Sequence, residues 1–220
     1  KSKTLQKAQH LYRWLADRKA ERGHLLIAVG GGVVGDLGGF VAATYLRGMP
    51  FAQVPTSLLA MLDAAIGGKA AVDLPQGKNL VGMFHQPKLV LADVQTLRTL
   101  PPRELTSGWA EAIKHGLISD VGLLATFEQK RESIQALEEG IATDVVRRSV
   151  AVKANVVSQD EKETLGIRVL LNYGHTIGHA VEAAAGYGGV VHGEAVSIGM
   201  MGAAYIGNAL GITSDEDVER

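Results

Sequence analysis

The feature that most constrains this chain is a continuous apolar run, Leu25-Leu26-Ile27-Ala28-Val29, that passes directly into Gly30-Gly31-Gly32-Val33-Val34-Gly35-Asp36. A short run with no polar alternation suits a strand buried on both faces of a parallel sheet. The small-residue stretch from Leu37 to Tyr45 then reads as a helix, so the segment is a strand, glycine turn and helix. Gly30-x-Gly32-x-x-Gly35 in that setting lets backbone N–H groups approach a pyrophosphate at a helix N-terminus. The acidic residue that usually follows about 20 positions later to hold a ribose is missing, because that region reads Met49-Pro50-Phe51-Ala52-Gln53. Asp36 stands one residue past the last glycine instead. A tight turn for helix–sheet packing is the competing reading.

Around this unit the pattern is α/β as far as about residue 95. Residues 1 to about 22 form an amphipathic helix pattern that stops at Gly23. Phe51 to Val54 is a second strand candidate, ended by Pro55-Thr56-Ser57 as a helix N-cap, and Lys88 to Ala92 is a third. After Pro101-Pro102 the texture changes to helical patterns at about 103–118, 121–131, 133–158, 174–185 and 192–210. Two domains are expected: a partial nucleotide-binding α/β (Rossmann-like) domain over 1–100 and a partial all-α domain over 101–220. The chain opens inside a helix pattern and closes on what looks like the start of another, so both ends are expected to be cut from something larger.

Composition narrows the function classes. Lys+Arg 22 against Asp+Glu 23 gives a net charge of -1, which is no basis for wholesale binding of a nucleic-acid backbone. No charge-free apolar run is long enough to span a bilayer and no leader pattern is evident, so a cytoplasmic setting is expected. Cysteine is absent, so a metal site must be built from His and carboxylate. Arg47, Asp63, Gly67-Gly68-Lys69 and Gly77-Lys78-Asn79 fit a phosphate- or carboxylate-binding pocket, each lysine standing next to glycine. His175 and His179 lie at i, i+4 on one helix face, and His192 follows. Glu111 sits in an apolar helix, where an ionised carboxylate needs a partner. Spacing alone nominates His175 and His179 as joint ligands and leaves His115, at i+4 from Glu111, as a rival.

Taken in order, GGGVVGDLGGF (30–40), YLRG (45–48), VPTSLLAMLDAAIGGKAAVD (54–73), GKNLVGMFHQP (77–87), TLPPRE (99–104), AEAIKHG (110–116), LLNYGHTIGHAVEA (170–183) and HGEAVSIGM (192–200) resemble the 3-dehydroquinate synthase family over essentially the whole chain. The resemblance implies an NAD-binding α/β domain and an all-helical domain, with NAD and zinc (cobalt as an alternative) in the cleft between them, a homodimer, and a small sugar phosphate as substrate. It implies zinc bound by Glu111, His175 and His192, which replaces His179 as a ligand. His179 and Glu163 become proton-transfer residues, with Lys69 and Lys114 also in the catalytic set. NAD contacts fall on Lys1, Gly31, Gly32, Val33, Asp36, Thr56, Ser57, Lys78 and the turn Thr96, Leu97, Arg98 and Thr99. Substrate contacts fall on Arg47, Asp63, Lys69, Asn79, Lys153, Arg168 and Asn172. Ser57, Ala64-Ala65 and Ala70 depart from the usual pattern, and Lys153 to Arg168 is one residue longer. The implied reaction converts 3-deoxy-D-arabino-heptulosonate 7-phosphate to 3-dehydroquinate and phosphate through transient oxidation by NAD. Another sugar phosphate cyclase, a polyol dehydrogenase of the same fold, and an inactive fragment are the alternatives.

Overall fold

The structure is a computed structural model and describes residues 3–186 and 189–220. The chain divides into two compact units, Lys1–Leu100 and Pro101–Arg220.

In the first unit, α1 (Leu5–Asp17) is capped by the Thr4 hydroxyl, which accepts from the Lys7 N–H. The helix ends six residues before Gly23, the expected stop. Lys19 takes the left-handed conformation (φ 54°), its N–H donating to Ala16 O and that of Ala20 to Leu15 O. Those are the bonds of a Schellman closure, here made without glycine, and a lysine in that role gives no sequence signal. β1 (Leu26–Gly30) pairs in parallel with β2 (Phe51–Pro55), and β2 with β5 (Leu89–Val90), so the sheet order is β1-β2-β5. Between β1 and β2 lies α2 (Gly32–Thr44), which begins at the glycine turn itself rather than at Leu37. It lies close to the sheet because a Cβ on Gly38 would come within 2.9 Å of the Ala28 Cβ. β1 is not buried on both faces as expected: Ala28 is 6% exposed on the α2 side, but Ile27 and Val29 are 57% and 60% exposed. Ala8 and Leu15 of α1, Phe40 and Val41 of α2, Phe51, and Val72 form the core.

The sequence reading missed an antiparallel hairpin, β3 (Lys69–Leu74) with β4 (Gly77–Phe84), whose small and charged residues hide the alternation of a strand. Thr56-Ser57 leads into a π-helical turn over Ala60–Ala64 that carries Asp63, and Val94–Thr99 is a 3₁₀ segment.

The second unit is helical: α3 (Pro102–Ser119), α4 (Val121–Gln129), α5 (Arg131–Gln135), α6 (Glu139–Gln159), α7 (His175–Ala185), α8 (His192–Ala209) and α9 (Asp215–Glu219), with a 3₁₀ segment Ile167–Asn172 before α7. The single pattern at 133–158 is two helices, α5 and α6, because Leu137 takes φ 53° between them. Among the described residues no helix is long and apolar enough to cross a membrane.

Candidate metal centre and nucleotide turn

Three helices of the second unit converge on Glu111. The residue is 0% exposed and sits mid-way along α3. Lys114, one turn on and also buried, donates from Nζ to Glu111 Oε2 at 2.5 Å. On its other side Glu111 Oε1 lies 3.7 Å from His175 Nε2, at the start of α7, and 3.5 Å from His192 Nε2, at the start of α8. Donor atoms of Glu111, His175 and His192 all lie within 4.8 Å of one another. The donors of a tetrahedral ion with bonds of about 2.05 Å stand about 3.3 Å apart, so the observed 3.5 and 3.7 Å need only small inward movements. The mixed carboxylate and imidazole set suits a borderline divalent ion. Burial holds the His175 pKa below the ordinary histidine value, and Lys114 acts the same way against the opposing pull of Glu111. Near neutral pH His175 is therefore neutral, the form that ligates metal.

The ladder that sets this geometry runs along α3. Positions 103, 107 and 111 share one face, four residues apart, and they meet residues 194, 193 and 192 of α8 in reverse order. Arg103 grips Glu194 with two bonds of 2.7 Å and donates to Gly189 O at 3.0 Å. Ser107 Oγ accepts the Gly193 N–H at 2.8 Å, and a Cβ on Gly193 would fall 2.0 Å from Ser107 O. Glu111 then faces His192. The Glu194 carboxylate also accepts the Val191 N–H at 3.1 Å, closing the first turn of α8. Arg103 above all, and then that N–H, lower the Glu194 pKa to about 2. Arg103, Ser107 and Glu194 were not singled out from sequence: the partners are 91 and 86 positions apart, and each alone reads as a surface or capping residue.

The competing assignments separate cleanly. His115 is buried with Nδ1 2.6 Å from Ser149 Oγ, as a core histidine of the α3–α6 packing. His179 is exposed, its ring 5.3 Å from that of His175, and lies outside the Glu111 group. Its donor atoms group instead with those of Glu182 and His192. Lys153 and Arg168 are buried, at 6% and 3% exposure, while Glu163 and Asn172 are exposed. The loop bearing Glu163 is organised by Asp160, another residue that sequence reasoning missed. Its buried carboxylate accepts N–H groups of Thr164, Leu165 and Ile167. Desolvation is the largest single influence on its pKa and pushes upward, but the backbone N–H groups together outweigh it and the value is lowered. Glu163 itself takes φ 57°, and Arg168 donates to Glu161 O at 3.0 Å.

In the first unit the glycine turn lies at the carboxyl ends of β1 and β2, where open α/β sheets bind ligands. Gly31 caps α2, the Thr56 N–H donates to Gly30 O at 3.0 Å, and Ser57 Oγ lies 3.3 Å from where a Gly31 Cβ would stand. Gly31, Gly32 and Val33 thus form the start of α2, with Thr56 and Ser57 beside its first glycines. Lys1 lies outside the described residues. Lys3, which the sequence reading did not select, is buried and donates to Asp36 Oδ2 at 2.5 Å and to Asn79 Oδ1, with Asp73 at 3.8 Å. Burial pushes the Asp36 carboxyl up in spite of Lys3, and Asp63 and Asp73 push the same way. The expected single cluster of Lys69 with Lys78-Asn79 is spread out instead. Asn79 N–H bonds Asp73, four residues along β3 from Lys69, or roughly 13 Å of strand. Arg47, exposed, takes φ 68° after α2. On the 3₁₀ segment Thr96 bonds the carbonyl of its N-cap Asp93 and Arg98 bonds Gln95, Thr99 is exposed, and Leu97 is 1% exposed, a core side chain that can offer a ligand only its backbone.

The fold so defined is an α/β unit with a nucleotide-type glycine turn, joined in sequence to a helical unit with a His/Glu centre. Residues 1–107 match the family description "3-dehydroquinate synthase N-terminal" and residues 108–220 "3-dehydroquinate synthase C-terminal", so the chain belongs to the 3-dehydroquinate synthase family. A 3-dehydroquinate synthase from Pelobacter propionicus is 52% identical over 210 residues, covering 96% of this chain and 58% of the relative. Among solved structures, 2-epi-5-epi-valiolone synthase from Streptomyces hygroscopicus subsp. jinggangensis, with NAD+ and Zn2+ bound, superposes with a TM-score of 0.91 at 30% identity, covering 98% of this chain and 60% of that one. A 2-deoxy-scyllo-inosose synthase complexed with carbaglucose-6-phosphate, NAD+ and Co2+ gives 0.87 at 34% identity, covering 99% and 60%. The chain spans about three fifths of the length of these relatives.

Proposed function

We propose that this chain carries the NAD, metal and substrate machinery of a 3-dehydroquinate synthase, converting 3-deoxy-D-arabino-heptulosonate 7-phosphate to 3-dehydroquinate and phosphate. The observation that carries this reading is the convergence of Glu111, His175 and His192 beside buried Lys114, in a chain whose two halves both match that family. The donor set fits zinc or cobalt, and the glycine turn with Thr56 and Ser57 fits a dinucleotide phosphate held by backbone. When bound, NAD supplies acceptance and later return of a hydride, and the metal supplies polarisation of a substrate oxygen.

The rest is done by side chains of this chain. Glu111, His175 and His192 hold the metal. Lys114 holds Glu111 Oε2 and adds positive charge beside the oxygen that must lose its proton. His179, exposed next to the His175 ring, is the proton carrier, and Glu163 a second acceptor. Lys69, Arg47, Lys153 and Arg168 orient the phosphate and carboxylate. Asp63 and Asn79 hold hydroxyls, and Asn172 joins Arg168 at the carboxylate. The NAD set comprises Lys1, Gly31, Gly32, Val33, Asp36, Thr56, Ser57, Lys78 and Thr96 to Thr99. A homodimer and a cytoplasmic setting belong to the same reading and rest on resemblance alone.

The structural likeness to other sugar phosphate cyclases supports a second reading, with a substrate that lacks a carboxylate. The Arg168…Asn172 pair and the higher identity to 3-dehydroquinate synthase favour the first. The test is incubation of the protein with the heptulosonate phosphate, NAD and zinc. Release of inorganic phosphate with no net NADH supports the proposal. No release, or steady accumulation of NADH, contradicts it.

A further inference from the structure

Among the described residues, His192 is set between two carboxylates. Its Nε2 faces Glu111 Oε1 at 3.5 Å, and its Nδ1 faces Glu182 Oε1 at 3.6 Å. Glu182 lies on α7 seven positions after His175 and three after His179, so all three side chains share one helix face. None of the roles described so far uses Glu182. A neutral imidazole carries one proton on either nitrogen, and a metal ligand must carry it on the nitrogen turned away from the metal.

We infer that Glu182 is a positioning residue: its carboxylate keeps the His192 proton on Nδ1 and so turns the Nε2 lone pair toward the metal proposed above, a role that rests on that reading. The comparison with His175 supports this. His175 Nδ1 lies 3.3 Å from the carbonyl oxygen of Tyr173, so a neutral backbone acceptor does for one imidazole what a carboxylate does for the other. At 3.6 Å Glu182 acts on Nδ1–H through its charge rather than through a short hydrogen bond, while the charge of Glu111 on the Nε2 side is offset by Lys114 at 2.5 Å. Its side chain is 23% exposed, which spares the carboxylate the cost of full burial. The charge also makes His192 the more electron-rich of the two ligands.

The donor atoms of His179, Glu182 and His192 lie within 4.8 Å of one another and resemble a second cation site. Filling both sites at once would require His192 to give up the protons of both nitrogens. The positioning role makes no such demand, so one ion per chain is expected.

The experiment uses Glu182→Leu, which removes the acceptor, and Glu182→Gln, which keeps an acceptor but removes the charge. Imidazole ¹⁵N shifts of the metal-free protein should show His192 protonated on Nδ1 in the parent protein and in Glu182→Gln. In Glu182→Leu it should be a mixture of both tautomers, with His175 unchanged as the internal control. Zinc affinity, measured by competition with a chelator, should fall about ten- to a hundredfold in Glu182→Leu and less in Glu182→Gln. An unchanged His192 tautomer together with an unchanged zinc affinity in Glu182→Leu overturns the inference, as do two zinc ions per chain. If the parent protein takes up no zinc while its His192 tautomer still shifts in Glu182→Leu, the metal reading fails and the positioning of His192 stands. If the parent protein binds zinc and the variant matches it in both measurements, the positioning fails and the metal reading stands.

Discussion

The two units prepare for ligands in opposite ways. In the helical unit the key carboxylate is fully buried, and every neighbour is fixed by packing: Lys114 on one side, two imidazoles on the other, and a ladder from α3 to α8 that sets their spacing. In the α/β unit the glycine turn opens a helix, and the cations selected from that unit's sequence, Arg47, Lys69 and Lys78, are exposed. A buried charge has to be compensated before any ligand arrives, so its site is part of the fold. An exposed set costs the fold little.

That difference is open to attack by mutation. Removing the cation in Lys114→Met should cost about 3–5 kcal/mol in the metal-free protein, the usual penalty for breaking a buried ion pair. The loss should shrink when zinc is added, because the ion takes over neutralisation of Glu111. Denaturant unfolding with and without zinc checks both parts. Gly193→Ala should cost up to about 3 kcal/mol through overpacking, since the new methyl meets the Ser107 carbonyl at 2.0 Å. It should also weaken zinc binding, because His192 must shift with its helix. Gly31→Ala is the matched change in the other unit. Its Cβ would meet only the Ser57 side chain, Oγ at 3.3 Å and Cβ at 3.8 Å, so Tm should hardly move while NAD affinity falls by about an order of magnitude or more as backbone approach is blocked. Titration calorimetry and a melting curve on the same sample separate these effects.

The smallest effect concerns the clamp at the end of the ladder. Glu194 has its folded pKa lowered from 4.5 to about 2, so its contribution is fully present above the unfolded value and fades as pH falls from there toward 2. The Tm gap between the parent protein and Glu194→Gln should therefore be constant above about pH 4.5 and close below it. The pair is half exposed, so the gap will be modest. A gap that widened on acidification would remove Arg103 as its cause.

The same contrast explains what could be read from sequence. Helices α3, α7 and α8 were legible to within a residue or two, because apolar spacing and the glycines before α7 and α8 mark them plainly. So was the strand–turn–helix around Gly31. The β3–β4 hairpin was not, since Lys69-Ala70-Ala71-Val72-Asp73-Leu74 has too little apolar contrast to show a period of two. At the site, helical spacing pointed to His175 with His179, whereas the structure gathers His175 with His192 and Glu111. Spacing reports only which residues share a helix face; convergence of three helices is a tertiary fact, which the order of motifs carried and periodicity could not. Lys3, Asp160, Arg103 and Ser107 escaped for the same reason, each having partners remote in sequence or on the backbone.

The direct test of the central claim is metal content. The protein is purified in the presence of zinc, dialysed, and assayed for bound metal beside Glu111→Gln, His175→Ala and His192→Ala. One zinc per chain in the parent protein and loss of it in each of the three variants is the predicted result. Stoichiometric zinc retained in the variants would show that these side chains do not form the centre described.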